Sequence, residues 1–464
     1  SPYSFDAVAS VLSRAGRRPR AVAQPSLDRH GRGRAMTAVN SAPPTSGSPS
    51  TPGLHVLMVS DVYFPRVNGV STSIQTFRAA LAKLGIQVTL VVPDYPEREI
   101  GGDEWGVIRV PSRAVPGDPE DRLMSPSTLY HLDRALAGTT FDLVHVQTPF
   151  AAHYASLRLA RQRGLPCLAT YHTHFEEYLS HYIPLLPRTW LRTAARTLAR
   201  QQCNALAAVV VPSAPMLDTL RDYGVSVPLQ VIPTGLPESQ FARGDGMRFC
   251  VRHGISPRRR VVLFVGRAAH EKNIDFLLSM LARARATDPE LLLVVAADGP
   301  ALPDLRSRAT ALGLEGHVLF VGYLDRNTEL RDCYAAAEVF VFASQTETQG
   351  LVLLEALASG LPVLAIAALG TRSIVDPGRG AVAAATTPDA FAQQLIDLLG
   401  NPQRLAELAA EGLRFAHEWG ADRPAQQLAS LYGTLVARRA SLGPQQGEAT
   451  QRIETRAIKA EGTP

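Results

Sequence analysis

The chain has 464 residues, of which 46% are hydrophobic and 19% charged, and it carries a formal net charge of +5. This composition is that of an ordinary globular protein and excludes general disorder, while the length favours two domains over a single core. The net charge lies in residues 1–50, which hold seven Arg and two Asp. The rest of the chain is neutral, so its charge gives no argument for nucleic-acid binding.

The four cysteines are far apart and form no Cys-x-x-Cys pair. They predict neither a zinc site nor a disulfide framework, and they fit a reducing cytoplasm. No apolar run approaches the roughly 20 residues that a membrane-spanning helix needs. Residues 1–35 are rich in Arg and poor in acidic residues, as transit peptides are. Met36 is a plausible start of translation, however, and we favour the interpretation that the residues before it are a misassigned leader. We expect residues 1–53 to form this leader and a linker.

Short apolar runs alternate with longer helical patterns from residue 54 onward. The first half predicts helices at 72–84 and 151–162. Its predicted strands are the apolar runs at 54–60, 86–92, 143–147, 165–171 and 206–211. Continuous apolar strands with helices between them predict a doubly wound parallel sheet that is covered on both faces.

The rhythm breaks between residues 234 and 260 and then begins again, which predicts a second domain of the same kind. Its predicted strands lie at 261–266, 291–296, 317–321, 338–342 and 362–366. We therefore expect an α/β protein with two Rossmann-like domains that face a central cleft. The expected division is a first domain at 54–236, a second domain at 237–420, a helix at 421–440 that crosses back to the first domain, and a mobile tail at 441–464. Because ligands of parallel sheets bind beyond the carboxyl ends of the strands, we expect the chemistry in the cleft.

Two cations follow the first strand of the second domain. That strand runs into Gly266 and Arg267, and Lys272 comes five residues later at the start of a helical pattern. A diphosphate needs fixed positive charge and free backbone N–H groups, which this arrangement supplies. A solvated loop is the plainer interpretation of an isolated Arg, but Lys272 is the only lysine between positions 84 and 458.

Two glutamates with seven residues between them follow a later strand of the second domain. Glu347 lies in the predicted loop, Gly350 near the start of the next helix, and Glu355 two turns further on. Glu355 interrupts an otherwise apolar helix face, so its carboxylate must be paired or must accept hydrogen bonds from a ligand such as ribose hydroxyls. Two ordinary acids on an exposed helix are a weaker explanation, because residues 351–354 and 356–358 have the pattern of a buried helix.

These features resemble the GT-B-fold glycosyltransferases of family 4, whose two glutamates separated by seven residues match Glu347 and Glu355. Further family motifs match Gly266-Arg267 with Glu271-Lys272, Asp298-Gly299-Pro300, residues 209–213 and Ile232-Pro233-Thr234-Gly235. The resemblance covers residues 54–435. One departure is Gln349, where many members have Phe. Since it lies beside the donor site, we expect it to alter contacts with the sugar or the base.

The resemblance implies a site for a nucleotide diphosphate sugar, the donor. Arg267 and Lys272 would bind the diphosphate and stabilise the departing nucleotide. Glu347 would contact hydroxyls of the transferred sugar, and Glu355 would hold the ribose. The other implied donor contacts are Gly69, Gly266, Gly350, Leu351 and Val352. Because the chain contains no Asp-x-Asp, we expect neither a metal nor another cofactor, and preorganised cations would offset the charge of the leaving group.

The first domain contributes a turn and a histidine. Asn68-Gly69 follows the first strand, where it either exposes backbone N–H groups to a substrate or is only a structural turn. Its match to a glycine-containing family loop favours function. By resemblance, His172 orients the donor sugar at the reaction centre, although a histidine at a strand end is often a structural hydrogen-bonding group. A metal site at His172 and His174 lacks a third ligand nearby. His174 and Glu176 are weaker candidates, together with Asn68, for contact with the acceptor.

Arginines recur every four residues in a helical pattern that begins after Pro187. They are Arg188, Arg192, Arg196 and Arg200. Such a stripe suits an anionic membrane surface, and a solvated helix face explains it about equally well. Residues 171–182 and the Asn-Gly-Val loop look similar to the diacylglycerol glucosyltransferase branch, and the GDP-mannose-dependent mannosyltransferases are the other similar branch. This resemblance implies a cytoplasmic enzyme that is peripheral on the inner face of the plasma membrane.

The activity predicted is retaining transfer of a hexose, from UDP-glucose or GDP-mannose, to a hydroxyl acceptor such as a lipid or a glycan. The resemblance implies front-face attack, with the leaving phosphate helping to deprotonate the acceptor. Two alternatives remain open: a nucleotide-sugar epimerase of the same architecture, and a non-catalytic protein that binds a sugar nucleotide. No Gly-x-Gly-x-x-Gly follows the first strand of either domain and no Gly-Lys-Ser/Thr loop occurs, which argues against a dehydrogenase and a nucleotide hydrolase.

Overall fold

The computed structural model describes residues 53–96, 105–115, 118–172, 188–326 and 328–442. Two parallel β-sheets, each packed against helices, form an N-terminal and a C-terminal α/β domain. The predicted fold class is therefore confirmed. The segments expected to form a leader and a tail lie outside the described residues, apart from their innermost positions.

The N-terminal domain is built on continuous apolar strands. Its strands are β1 (His55–Val59), β2 (Gln87–Pro93), β3 (Val107–Val110), β4 (Ser112–Val115), β5 (Asp118–Met124), β6 (Leu143–Val146), β7 (Cys167–Thr170), β8 (Ala208–Val211) and β9 (Leu229–Val231). Seven of them form one parallel sheet in the order β3-β2-β1-β6-β7-β8-β9, and β4 pairs with β5 in an antiparallel hairpin. Val56 and Met58 pack on one face of β1, while Leu57 and Val59 pack on the other. Both faces are covered, which is why the strand is apolar throughout.

The C-terminal domain repeats this construction around one core. Its strands are β10 (Arg260–Arg267), β11 (Leu291–Asp298), β12 (Val318–Phe320), β13 (Val339–Phe342), β14 (Val363–Ala365) and β15 (Ala381–Ala383). They form a six-stranded parallel sheet in the order β12-β11-β10-β13-β14-β15. The strands β10, β11 and β13 lie side by side at its centre, so the loops that follow them meet at one edge.

The helices connect these strands. Those of the N-terminal domain are α1 (Gly69–Lys83), α2 (Pro126–Tyr130), α3 (Leu132–Ala135), α4 (Ala151–Arg163), α5 (Arg188–Asn204) and α6 (Ala214–Asp222). Those that follow are α7 (Gly246–Arg252), α8 (Ile274–Ala284), α9 (Leu302–Ala311), α10 (Glu329–Ala335), α11 (Leu351–Ala358), α12 (Arg372–Val375), α13 (Pro388–Leu399), α14 (Pro402–His417) and α15 (Asp422–Leu442). Over the described part of the chain, no helix combines the length and the apolar character that crossing a bilayer requires.

The sequence patterns missed three of the four edge strands of the two sheets, and predicted only β12 among them. The missed strands β3, β9 and β15 have only three or four residues each. Arg109 interrupts the apolar run of β3, and Gln230 interrupts that of β9. Runs this short leave no periodic signal, so these strands were not predicted.

The C-terminal helix α15 packs on the N-terminal domain. Leu428, Tyr432 and Leu435 belong to the core cluster that also contains Met58 of β1. The Tyr432 hydroxyl lies 2.6 Å from Nδ1 of the buried His145, whose Nε2 lies 2.8 Å from Thr170 Oγ1. The last helix is thus anchored in the first domain by apolar contacts and by a buried polar chain.

The two crossings between the domains lie side by side. Leu236 N donates to Trp419 O at 2.7 Å, and Ala421 N donates to Leu236 O at 3.0 Å. A Cβ added to Gly235 would lie 2.4 Å from Ala421 Cα. Only glycine lets the two chain segments approach this closely. The chain segment that leaves the N-terminal domain and the segment that returns to it are therefore held together at one point.

Candidate functional site

The carboxyl ends of the two sheets meet across a cleft. Residues 344–350 follow β13 in the C-terminal domain, and this 344–350 loop contacts the ends of β7 and β8 in the N-terminal domain. Thr348 Oγ1 donates to His172 O at 2.9 Å, and Ser213 Oγ donates to Thr348 O at 2.7 Å. Several of the site residues predicted from sequence lie at this junction, in the place that parallel sheets reserve for ligands.

A mostly buried ion pair occupies the C-terminal side of the cleft. The Lys272 ammonium, which lies in a 3₁₀ turn after β10, pairs with the Glu347 carboxylate. Burial acts to lower the pKa of Lys272, but the charge and hydrogen bond of Glu347 outweigh this effect and raise the pKa. The charge of Arg267, at the end of β10, acts on Lys272 in the lowering direction. Two cations of one site are thus close enough to influence each other, and both are charged at neutral pH.

Backbone and side-chain contacts hold the loops that carry these cations. Ser344 Oγ donates to Glu271 O at 3.0 Å, and Asn273 Nδ2 donates to Ala343 O at 3.2 Å. On the other side, Ala268 N donates to Asp298 O at 2.7 Å. The loops after β10, β11 and β13 therefore support one another, so the cations are fixed before any ligand binds.

Glu355 is buried on α11, with 3% of its surface exposed. Its carboxylate forms an ion pair with Arg326 and accepts a hydrogen bond from the Tyr334 hydroxyl at 3.1 Å. Glu355 therefore has the partners that its place on an apolar helix face requires. The sequence alone did not identify these two partners. A buried carboxylate signals that a cation must be near, but nothing in the sequence says which arginine supplies it.

The helix α11 begins at the cleft. Gly350 is its N-cap residue with φ of 90°, a left-handed conformation that favours glycine. A Cβ there would also lie 3.0 Å from Thr371 Cγ2. Leu351 and Val352 form the first turn of the helix, where backbone N–H groups have no acceptor within the helix and are available to an anion. Gly266, the next-to-last residue of β10, is half-buried beside Arg267.

His172 faces the 344–350 loop from the N-terminal domain. Its Nε2 lies 3.0 Å from Gln147 Oε1, so the ring is hydrogen-bonded to this side chain. Burial lowers the pKa of His172 to about 4. The imidazole is therefore neutral at pH 7 and suited to hydrogen bonding rather than to donating a proton. His174 lies outside the described residues, and within the described segments no three His, Cys, Asp or Glu side chains are grouped so that they could hold a metal.

The Asn68-Gly69 turn begins α1. Asn68 Oδ1 accepts a hydrogen bond from Ser71 N at 2.8 Å, so this side chain caps the helix. A Cβ added to Gly69 would meet no atom within 4 Å. The space beside Gly69 is open, and contact of this turn with a ligand stays a prediction. The nearby Asp61, which sequence reasoning missed, accepts from Thr148 Oγ1 at 2.7 Å and orients the start of α4.

The arginine stripe lies on α5. Arg192, Arg196 and Arg200 are exposed, while Ala195 and Ala199 are buried on the other face. The Arg196 guanidinium lies 5.4 Å from the centre of the Tyr223 ring. The aliphatic part of Arg200 packs on Gly224, where an added Cβ would lie 3.1 Å from Arg200 Cδ. Two of these arginines thus rest on the turn after α6. The side chain of Arg188 and all of Glu176 lie outside the described residues.

Comparison with known proteins identifies two family matches. Residues 67–240 match the model described as "Glycosyltransferase Family 4", and residues 250–414 match "Glycosyl transferases group 1". An alpha-monoglucosyldiacylglycerol synthase of Streptococcus pneumoniae is 33% identical over 67% of this chain and 71% of its own. A GDP-mannose-dependent alpha-mannosyltransferase of Mycobacterium tuberculosis is 32% identical over 70% of this chain and 82% of its own.

Solved structures share the fold. A sucrose-phosphate synthase of Thermosynechococcus elongatus superposes with a TM-score of 0.69 at 20% identity, over 83% of this chain and 100% of that one. The Alr3699/HepE protein of Anabaena, solved in complex with UDP-glucose, superposes with a TM-score of 0.65 at 16% identity, over 82% of this chain and 100% of that one. These likenesses show a common architecture of two facing α/β domains.

The buried histidines predict how stability depends on pH. Burial lowers the pKa of five histidines in the described part of the chain, namely His55, His145, His153, His172 and His253. The unfolded chain binds protons at these groups below pH 6.5, whereas folded His153 stays neutral down to about 4. Asp61, whose pKa burial raises to about 6, opposes this trend by one proton. We therefore expect the free energy of unfolding to fall as the pH is lowered from about 7 to 5.

Urea denaturation at several pH values measures this slope, and each net proton contributes about 1.4 kcal/mol per pH unit. The variant His153→Gln removes one titrating group that has no part in the proposed reaction, so near pH 5 its slope should be smaller by nearly one proton. A free energy of unfolding that stays constant between pH 7 and 5 would contradict the burial of these neutral imidazoles.

Proposed function

The chain belongs to glycosyltransferase family 4 and is a hexosyltransferase that uses a nucleotide sugar, and we propose that it transfers glucose or mannose with retention of anomeric configuration. One observation carries the proposal: Arg267, Lys272 and the amino end of α11 converge at one strand edge, opposite His172. This is the distribution of charge that a sugar diphosphate needs at the moment when the bond between sugar and phosphate breaks.

The proposed reaction assigns a task to each group. Arg267 and Lys272 bind the diphosphate and offset the charge that develops on the leaving nucleotide. The acceptor hydroxyl attacks the anomeric carbon from the face that the phosphate leaves, a phosphate oxygen takes the hydroxyl proton, and the new glycosidic bond replaces the bond to phosphate. The protein cations supply the positive charge that a metal provides elsewhere, so we propose that no metal and no other cofactor is needed.

The remaining donor contacts follow from the same placement. Glu347 accepts hydrogen bonds from hydroxyls of the transferred sugar while Lys272 holds its carboxylate. Glu355 has acceptor capacity left beside its two protein partners, and we assign it to the ribose hydroxyls. His172, neutral at pH 7, orients the sugar without supplying a proton. The backbone of Gly69 completes the site from the N-terminal domain.

We propose a membrane lipid, with diacylglycerol as the leading candidate, for the acceptor. The similarity to an alpha-monoglucosyldiacylglycerol synthase supports this choice, and a glycan is the alternative acceptor. A lipid acceptor requires the enzyme to work at a membrane surface, on the cytoplasmic side where nucleotide sugars are available. The exposed arginines of α5 are the surface that we assign to this contact.

Lys272→Gln tests the donor site. We expect kcat/KM for the nucleotide sugar to fall about 100-fold or more, because the diphosphate loses a fixed charge that acts most strongly on the leaving group. The matched control is Lys83→Gln, since Lys83 is exposed, pairs with the exposed Asp422 and is assigned no part in the donor site. Steady-state kinetics with product analysis gives the result. Equal activity of Lys272→Gln and the wild type would remove this lysine from the mechanism, and release of a free sugar of altered configuration without an acceptor would indicate an epimerase.

Vesicle sedimentation tests the membrane surface. Replacing Arg188, Arg192, Arg196 and Arg200 by Gln should weaken binding to vesicles with anionic lipid by at least about tenfold, since each cation near such a surface contributes about 1 kcal/mol. The control replaces four exposed arginines of the C-terminal domain, which removes the same charge from another face. They are Arg283, Arg308, Arg372 and Arg404. If both quadruple variants sediment alike, α5 is not the membrane contact.

A further inference from the structure

Gln349 joins the 344–350 loop to the other domain. Its side chain is buried. Thr234 N donates to Gln349 Oε1 at 2.9 Å, and Gln349 Nε2 donates to Thr234 O at 2.8 Å. One carboxamide thus satisfies both backbone groups of a single residue, as a neighbouring strand residue does in an antiparallel sheet. The expectation that this side chain alters contacts with the sugar or the base gives way to a contact between domains.

Thr234 is itself fixed within the N-terminal domain. It is buried, and its Oγ1 lies 2.7 Å from Ser73 Oγ of α1. Gly235 and Leu236 follow it directly and form the point where the two crossings between the domains are held together. A side chain that is hydrogen-bonded to Thr234 is therefore held by the N-terminal domain, beside its hinge with the C-terminal domain.

The residues next to Gln349 in the 344–350 loop connect this contact to the proposed donor site. Thr348 bonds to His172 O and Ser213 Oγ, so two consecutive residues of the loop are tied to the first domain. Glu347, one residue earlier, pairs with Lys272, and Gly350, one residue later, begins α11. Four consecutive residues thus connect the proposed donor contacts with the strand ends of the facing domain.

We propose that Gln349 is a positioning residue that sets the placement of Glu347 and the start of α11 against His172, and so couples closure of the cleft to sugar transfer. This inference rests on the proposed function for its catalytic part. When the cleft opens, the four buried hydrogen-bonding groups of Gln349 and Thr234 must separate and be hydrated. In the closed cleft they hold the loop in one geometry, and a displacement of about 1 Å in such a geometry can cost about 100-fold in rate.

The test compares three variants. Gln349→Met keeps the length of the side chain and removes both hydrogen bonds. Gln349→Leu removes the same two hydrogen bonds with a side chain of different shape, so the pair of variants separates loss of hydrogen bonding from the fit of one side chain. The control is Gln394→Met, because Gln394 makes the same kind of contact within the second domain alone, accepting from Ala385 N at 2.7 Å and donating to Ala383 O at 3.4 Å.

We expect both Gln349 variants to lower kcat by about 10- to 100-fold, while calorimetry gives a smaller fold-loss in affinity for the nucleotide sugar that the wild type binds, because Arg267, Lys272 and Glu355 are untouched. Small-angle X-ray scattering without ligand should show a larger radius of gyration for both, and Gln394→Met should match the wild type in kcat and in size. If either Gln349 variant keeps the kcat of the wild type, or if Gln394→Met loses as much kcat, the positioning role is wrong. The scattering result does not depend on turnover. Absence of transferase activity in the wild type would thus contradict the proposed function. An unchanged radius of gyration in variants that remain active would contradict only this inference.

Discussion

The site depends on one mostly buried ion pair, between Lys272 and Glu347. A charge removed from water is costly unless an opposite charge and hydrogen bonds compensate it. Here the carboxylate keeps the lysine charged in a largely dry cleft, and the lysine keeps the carboxylate in place. A cation held in this way needs little rearrangement when a diphosphate arrives, which is the condition under which electrostatic stabilisation of a leaving group is most effective.

The same rule shapes the rest of the cleft. Glu355 is buried because Arg326 and Tyr334 satisfy it. On the facing domain the buried histidines avoid the cost of an unpaired charge by being neutral. His172 is hydrogen-bonded to Gln147, and His145 is hydrogen-bonded to Tyr432 and Thr170. One wall of the cleft therefore carries the charges of Arg267, Lys272 and Glu347, while the histidines of the other wall are neutral. This asymmetry fits a donor that carries its negative charge at one end and its sugar at the other.

Much of this arrangement was predictable from sequence because it follows from local patterns. The central strands are continuous apolar runs, and the scarcity of lysine drew attention to Lys272. The position of Glu355 on an apolar helix face required a polar partner, and the structure contains one. The spacing of Glu347 and Glu355 indicates the family from the sequence alone.

The parts that escaped prediction depend on contacts between distant segments. Arg326 and Glu355 come together only because the loop after β12 packs against α11, and no periodicity records that contact. The pairing of Gln349 with the backbone of Thr234 has no sequence signature at all, since any residue offers the same backbone groups. An interrupted apolar run as short as β9 leaves no periodic signal. The need of a buried side chain for a polar partner was thus easier to predict from sequence than the identity of that partner.

In the proposed site, protein cations alone hold the diphosphate of a sugar nucleotide. Calorimetric titration of UDP-glucose and of GDP-mannose into the purified protein with excess EDTA tests this directly. At least one of them should bind with a stoichiometry of one. Absence of binding for both, or binding that appears only when a divalent cation replaces EDTA, would contradict the proposed site.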